Sequence, residues 1–238
     1  MKLRRIFSEN IPEIGEKLQL SEEETRHAVK VLRLKEGDKI LLLDGKGTLA
    51  EAELLETAKI KTASCMVITK DFFVAKAPEI TLYIAPPHSK SFETILKTAA
   101  ELGIREITPI ICRYGVAKPK NSNKNWQNNL VAACKQAINP WLPKINEIMK
   151  FADALKNMQG KAIFGAVPKR KHASKECFDD VHKKFSLWIG PEGGFSTDEE
   201  ELLLKNNASA VTVGNYVLRI ETAVPALTGY ILAKFNNN

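Results

Sequence analysis

The sequence has no uninterrupted apolar run approaching the roughly 20 residues that cross a bilayer, so no membrane span is expected. Its start, MKLRRIFSEN, places no apolar stretch behind the basic residues, so no secretory signal peptide is expected and the expected location is cytoplasmic. Cysteine is scarce and scattered. Cys65, Cys112, Cys134 and Cys177 form no C-x-x-C pair, and without export signals they read as reduced, buried thiols. The four histidines are as dispersed, and no metal site is expected. Internal repeats are absent, and the only low-complexity tract is the terminal run of asparagines.

What is present is an ordinary globular composition over 238 residues: 44% apolar and 26% charged, enough for one large domain or two small ones. The net charge of +7 is unevenly spread. Between Arg113 and Lys175 thirteen Lys or Arg face two acids, a local +11, which leaves −4 for the rest. Such asymmetry is the footprint of a nucleic-acid binder, whose basic side chains displace counterions from phosphates. The alternative is a solvated lysine-rich face.

The chain changes character near residue 72. Before it, KILLLDGKGTLAEAELL reads as two strands joined at Asp44-Gly45-Lys46-Gly47, with glycines supplying positive backbone angles. KTASCMVITK is a further strand. Ser21 with Glu24 starts a helix whose face continues through His27, Val31 and Leu34. Strands with one helix predict a small β-barrel over 1–72, followed by a linker over 73–79. From residue 80 to 238 strands and helices alternate. ITLYIAP, ITPIIC, KAIFGAV, FSLWIG and AVTVG are strand-like, while SKSFETILKTAAELG and NKNWQNNLVAACKQA carry apolar residues at helical spacing. Helices are expected from Thr197 to about Lys205, and from about Ala223 to Phe235 with Pro225 in the first turn. The pattern predicts an α/β domain with a mostly parallel sheet covered by helices, whose ligands sit beyond the C-terminal strand ends.

Three loops follow such ends: Phe164 to Lys169, Gly190 to Gly194 and Gly214 to Glu221. The middle one, Gly190-Pro191-Glu192-Gly193-Gly194, lacks the Gly-Lys-Ser/Thr ending of a P-loop and is not G-x-G-x-x-G. Glu192 would repel a pyrophosphate. The glycines allow close backbone approach of a neutral or cationic ligand. Ser196 and Glu199 also form a capping box, so part of this stretch serves a helix start. In the third loop, Arg219 and Glu221 are either a surface ion pair at a helix start or a cation and a carboxylate beside the same pocket.

WIGPEGGFSTDE and VTVGNYVLRIETA, with HAVKVLRLKEGD, LKTAAELGIREITPI and RRIF elsewhere, resemble the landmarks of the RsmE family, 16S ribosomal RNA uracil-N3 methyltransferases of the SPOUT superfamily. The resemblance implies a PUA-like N-terminal barrel and a SPOUT domain whose chain threads a trefoil knot. It implies S-adenosylmethionine as cofactor, 16S rRNA or the small ribosomal subunit as partner, and a homodimer. Cofactor contact falls to Gly190, Pro191, Glu192, Gly193, Gly194, Gly214, Val217 and Leu218. Nitrogen 3 of uracil carries a proton between two carbonyls, so the reaction needs a proton acceptor and a stabiliser for the developing oxyanion. Arg219 is assigned to the uracil oxygen, and Glu221 to orienting Arg219 or assisting the proton. RNA contact is assigned to Arg4, Arg5, His27 and Arg33 in the barrel, and to Arg113, Lys118 and Lys120 after a strand end. For His27 and Arg33 a partly packed helix face is the alternative.

The chain departs from the family at two places. Where members commonly carry Glu-Gln-Ser/Cys-Gly-Arg, it has Lys135-Gln136-Ala137-Ile138-Asn139, and Ile220 replaces a threonine before Glu221. These departures bear on the target nucleotide. Two other readings remain open at this point: a SPOUT enzyme acting on another RNA base, and a non-catalytic RNA-binding ribosome-assembly factor.

Overall fold

A computed structural model of the chain describes residues 3–56, 62–115, 124–168 and 182–236, and its contacts sort into two units. The first comprises Met1–Ala75 with Val131–Leu142, and the second Lys76–Leu130 with Pro143–Asn238. Cys177, Lys118 and Lys120 lie outside the described residues.

In the first unit, β1 (Arg4–Phe7), β2 (Lys17–Gln19), β3 (Lys39–Leu43), β4 (Thr48–Glu56) and β5 (Ser64–Phe72) form one sheet in the order β1-β3-β4-β5-β2. β1 and β3 pair parallel and the other neighbours antiparallel. The register of β4 on β5 shifts at Glu51/Ala52 and at Leu54/Glu56, and such bulges bend a sheet into a half-barrel. Alternate residues point inward, so Ile6, Ile40, Leu42, Ala52, Leu54 and Val67 form the core. The hairpin between β3 and β4 turns where the glycines stand, with Gly45 at φ +74° and Gly47 at φ +111°. Asp44 Oδ1 accepts from the backbone N–H groups of Lys46, at 2.7 Å, and Thr48, at 2.9 Å.

The helix after Ser21 is shorter than its periodicity suggests. α1 (Glu22–Arg26) runs into a π-helical turn at His27–Val31, and the chain leaves the helix at Arg33, which has φ +56°. Leu34 packs on the core from outside the helix. The Ser21 hydroxyl accepts from Glu24 N–H as expected, but the Glu24 carboxylate accepts from Lys135 Nζ at 2.7 Å.

In the second unit, β6 (Glu79–Ile84), α2 (Ser89–Glu101), β7 (Glu106–Ile111), β8 (Lys144–Ile145), β9 (Met149–Lys150), α4 (Phe151–Asn157), β10 (Lys161–Gly165), β11 (Lys184–Ile189), α5 (Thr197–Lys205), β12 (Ser209–Val211) and α6 (Ile220–Asn236) build a parallel sheet with helices. α3 (Lys124–Ala137) starts in this unit and ends in the first. The strand order is β12-β10-β11-β6-β7-β8, with β9 also on β7. Burial on both faces explains why these strands read as continuous apolar runs. Trp188 stacks on Tyr83 at 4.3 Å between ring centres, with Phe151 edge-on to Trp188 at 5.6 Å. α4 was not legible, because seven residues offer too few turns for a periodicity to register. α6 begins at Ile220, three residues earlier than expected, so Pro225 lies beyond its first turn.

Two backbone positions in the first unit carry consequences. After α3, Asn139 N–H donates to Cys134 O at 3.0 Å, which closes the helix through a left-handed residue, Ile138 at φ +56°. It is the position at which the pattern of the resembled family has glycine. The left-handed conformation costs a residue with a Cβ about 1–2 kcal/mol, and Ile138 is 40% exposed, so little burial offsets it. Downstream, Pro140 O accepts from Gly47 N–H at 2.9 Å, and a Cβ on Gly47 would stand 2.6 Å from the Trp141 ring.

Two outcomes are expected in urea melts. Ile138→Gly stabilises the protein by about 1 kcal/mol. Gly47→Ala destabilises it by about 2 kcal/mol, because the methyl must displace Trp141 or Phe72 and the backbone angle suits glycine. An unchanged midpoint in either variant would contradict the geometry described.

Candidate functional site

Parallel pairing brings three strand ends to the same edge of the sheet. Phe164 lies opposite both Trp188 and Ala210, and Gly165 opposite Val211. The chain leaves each strand there, and Ala166 N–H still donates to Val211 O at 2.8 Å. The segments that follow enclose a cleft of about 430 Å³, lined by Gly165–Pro168, Ile189–Glu192, Gly194, Val211–Val213 and Tyr216–Glu221, with Ala223 and Leu227 of α6.

The Gly-Pro-Glu-Gly-Gly turn is a backbone wall. Gly194 N–H donates to Pro191 O at 2.8 Å, and Gly194 adopts φ +74°. A Cβ on Gly190 would come within 3.0 Å of Phe195 N, so the turn folds tightly back on itself. Glu199 fixes it from behind. One carboxylate oxygen accepts from Ser196 N–H at 2.8 Å, completing the capping box, and the other accepts from Arg113 N–H at 2.8 Å. The buried carboxylate thereby ties the start of α5 to the backbone two residues beyond β7. From sequence Glu199 is a cap only, since a bond across 86 positions leaves no local signal.

Six of the eight residues assigned to the cofactor line this cleft: Gly190, Pro191, Glu192, Gly194, Val217 and Leu218. Gly193 does not. It is exposed, and a Cβ there would meet Tyr114 at 3.3 Å, so its small size serves packing. Gly214 lies outside too, at φ +80°, and shapes the turn that returns the third loop. Arg219 and Glu221 both line the cleft. The hydroxyl of Ser91, on α2, holds the Glu221 carboxyl below the usual carboxylate range, helped by the Glu221 backbone N–H and by the charge of Arg219. Glu221 is therefore ionised through the neutral range. The first loop contributes four residues, Gly165 to Pro168, because its position after β10 brings them to the cleft. Tyr216 was missed within its loop, and only its place after β12 could have signalled it.

The RNA-assigned residues separate. Arg4, Arg5 and His27 line a second groove, which lies in the first unit, whereas Arg33 is exposed outside it. Arg113 Nη1 pairs with Asp198 Oδ2 at 3.1 Å on the surface. Cys65, Cys112 and Cys134 are buried free thiols, and burial pushes Cys65 up to about 11 and Cys134 up to about 12, which makes them unreactive. Among the described residues no group of three or more His, Cys, Asp or Glu could hold a metal, and no helix is long and apolar enough to cross a membrane.

A family model described as an RNA methyltransferase domain matches residues 75–232, and one described as an RNA methyltransferase PUA domain matches residues 20–61. The Bacillus subtilis ribosomal RNA small subunit methyltransferase E is 30% identical over 216 residues, 84% of each chain. The chain belongs to this methyltransferase family. The Synechocystis relative of the same name is 28% identical over 82% of this chain, which spans 65% of that protein's length. A crystal structure of ribosomal RNA small subunit methyltransferase E from Neisseria gonorrhoeae, bound to S-adenosyl methionine, superposes with a TM-score of 0.87 at 25% identity, covering 98% of both chains. The fold is accordingly that of this methyltransferase family, an α/β domain with a parallel sheet and an N-terminal PUA domain.

The Ser91 contact makes a direct forecast. Ser91→Ala removes the largest lowering influence on Glu221, so its titration moves upward toward the ordinary carboxylate value. Carboxyl-carbon NMR over acidic pH reads the shift, and an unmoved titration would rule the contact out. Glu221 stabilises the fold at pH above its unfolded-state value, and this contribution fades as pH falls through the lowered folded value. The variant should keep less of it.

Proposed function

We propose that the chain transfers a methyl group from S-adenosylmethionine to N3 of a specific uridine in 16S ribosomal RNA, as a cytoplasmic homodimer with the small ribosomal subunit as partner. The observation that carries this reading is the cleft at the ends of β10, β11 and β12, in a chain of this family.

The cleft suits the cofactor. Among the described residues its charged lining is two carboxylates, Glu192 and Glu221, against one cation, Arg219, a balance that suits a ligand of net positive charge. Val167, Ile189, Val211 and Leu218 offer apolar surface for a purine, and the glycine turns offer backbone donors and acceptors to hydroxyls. When bound there, the cofactor supplies an electrophilic methyl on a sulfonium. The protein's own work is orientation and electrostatics. Holding the uracil nitrogen in line with that methyl is an entropic gain of several kcal/mol. Arg219 is exposed on the rim and free to meet a uracil oxygen as negative charge develops on it. Glu221, whose carboxyl Ser91 holds below the usual carboxylate range, is a weak proton acceptor, and its place near Arg219 supports a positioning role over a basic one. The three loops are those that a trefoil knot over the C-terminal half of the 80–238 domain would bring together.

Arg219→Ala should lower turnover by about 100-fold or more while leaving cofactor affinity nearly unchanged. Unaltered turnover would remove Arg219 from the chemistry. Mass mapping of methylated uridines in small-subunit rRNA, with and without the protein, tests the whole reading. A single N3-methyluridine should appear only with the protein. Methylation of another base would reassign the substrate, and no methylation would favour a binding role.

A further inference from the structure

The mouth of the cleft carries apolar surface that the protein leaves in water. Tyr216 is 82% exposed and Val217 69% exposed, yet both line the cleft. They belong to the third loop, which leaves β12 after Val211 and turns at Gly214. Arg219, also exposed, stands three residues further along the same loop. A single exposed apolar side chain needs no explanation, but two neighbours on the rim of a ligand cleft form a patch.

Tyr216 differs from the other rings of the second unit. Tyr83 stacks on Trp188, Phe92 packs edge-on to Trp126, and Phe151 and Phe164 both meet Phe195. Tyr114, exposed as well, lies by Gly193 and outside the cleft lining. Among the described residues no ring lies against Tyr216, and it is the one aromatic side chain that lines the cleft.

The reaction needs such a ring. The lone pair of the deprotonated uracil nitrogen lies in the plane of the base, and it must point along the line through the methyl carbon and the sulfur. A hydrogen bond from Arg219 to one uracil oxygen fixes a point on the edge and leaves the plane free to turn about it. A flat contact on the face of the base removes that freedom. Aromatic side chains hold unstacked bases in this way, and a base drawn out of its stack for chemistry arrives with its faces bare.

We propose that Tyr216 is the platform for the target base: its ring lies on the face of the uracil while Arg219, from the same loop, meets the edge. The identity of the base as uracil rests on the methyl-transfer function proposed above. The adenine of the cofactor is the rival occupant of this ring. Exposure decides against it, because Ile189 and Val211 already offer a purine buried apolar surface, and a ring so open stands where the substrate enters.

The test pairs kinetics with a binding signal that needs no chemistry. Methyl transfer is measured on small ribosomal subunits from cells lacking the protein. Tyr216→Phe and Tyr216→Trp should stay within about two-fold of the parent, whereas Tyr216→Leu and Tyr216→Ala should lose about ten-fold, the usual weight of one aromatic–base stack. The loss should fall on kcat with KM nearly unchanged, since one ring contributes little to the docking of a whole subunit. Calorimetry should give all four variants the parent's affinity for S-adenosylmethionine, which also shows that they fold. In Tyr216→Trp the new indole is exposed, while Trp126 and Trp188 are buried, so its emission reports the cleft mouth. A uridine pentanucleotide added with the demethylated cofactor should quench that emission, and a pentanucleotide abasic at its centre should quench it several-fold less. The proposal is overturned if Tyr216→Leu works as the parent does, if Tyr216→Phe is as slow as Tyr216→Ala, if the loss falls on KM alone, if cofactor affinity drops with turnover, or if the abasic strand quenches equally. Quenching by the uridine strand with no methyl transfer by the parent would instead sink the methyltransferase reading and leave the base contact standing.

Discussion

The parallel register of β10 with β11 and β12 is the constraint on which the site depends. Because Phe164 sits level with Trp188 and Ala210, three chain segments leave the sheet at the same height and cannot avoid one another. The cleft is thus made of backbone that the sheet has already fixed. Behind it, the Tyr83–Trp188 stack and Phe164 hold the strand ends rigid, and a wall whose atoms are held in place loses little entropy when a ligand arrives. Glu199 extends the same logic: one buried carboxylate satisfies Ser196 and Arg113 backbone donors at once, so the Gly-Pro-Glu-Gly-Gly turn is anchored to two elements.

The two cavities differ in charge. Among the described residues the cleft has more acid than base in its lining, and the groove of the first unit has more base than acid. The net charge of +7 is too coarse to show this.

Local physics made most of the fold legible. The hairpin at Asp44–Gly47 followed from its glycines, α5 from its capping box, and the parallel sheet from apolar runs alternating with amphipathic helices. The glycine turn was legible as a binding loop because it follows a strand end, whereas Arg219 and Glu221 read from the sequence equally as a surface ion pair at a helix start. What could not be read was long-range. The Glu24–Lys135 pair joins residues 111 apart, and Val131–Leu142 associates with strands of the first 75 residues. The failure of the helix at Arg33 was hidden for a different reason: the apolar spacing through Leu34 persists after the backbone has left the helix. Ile138 was noticed only as a departure, and its meaning appeared with its backbone angle.

Calorimetry of the full chain with S-adenosylmethionine, its demethylated product and ATP tests the central claim, that this backbone-walled cleft selects a positively charged methyl donor. Binding of S-adenosylmethionine with one-to-one stoichiometry per chain, competed by the demethylated product and unaffected by excess ATP, is the expected result. No heat with S-adenosylmethionine, or displacement of it by ATP, would contradict the account.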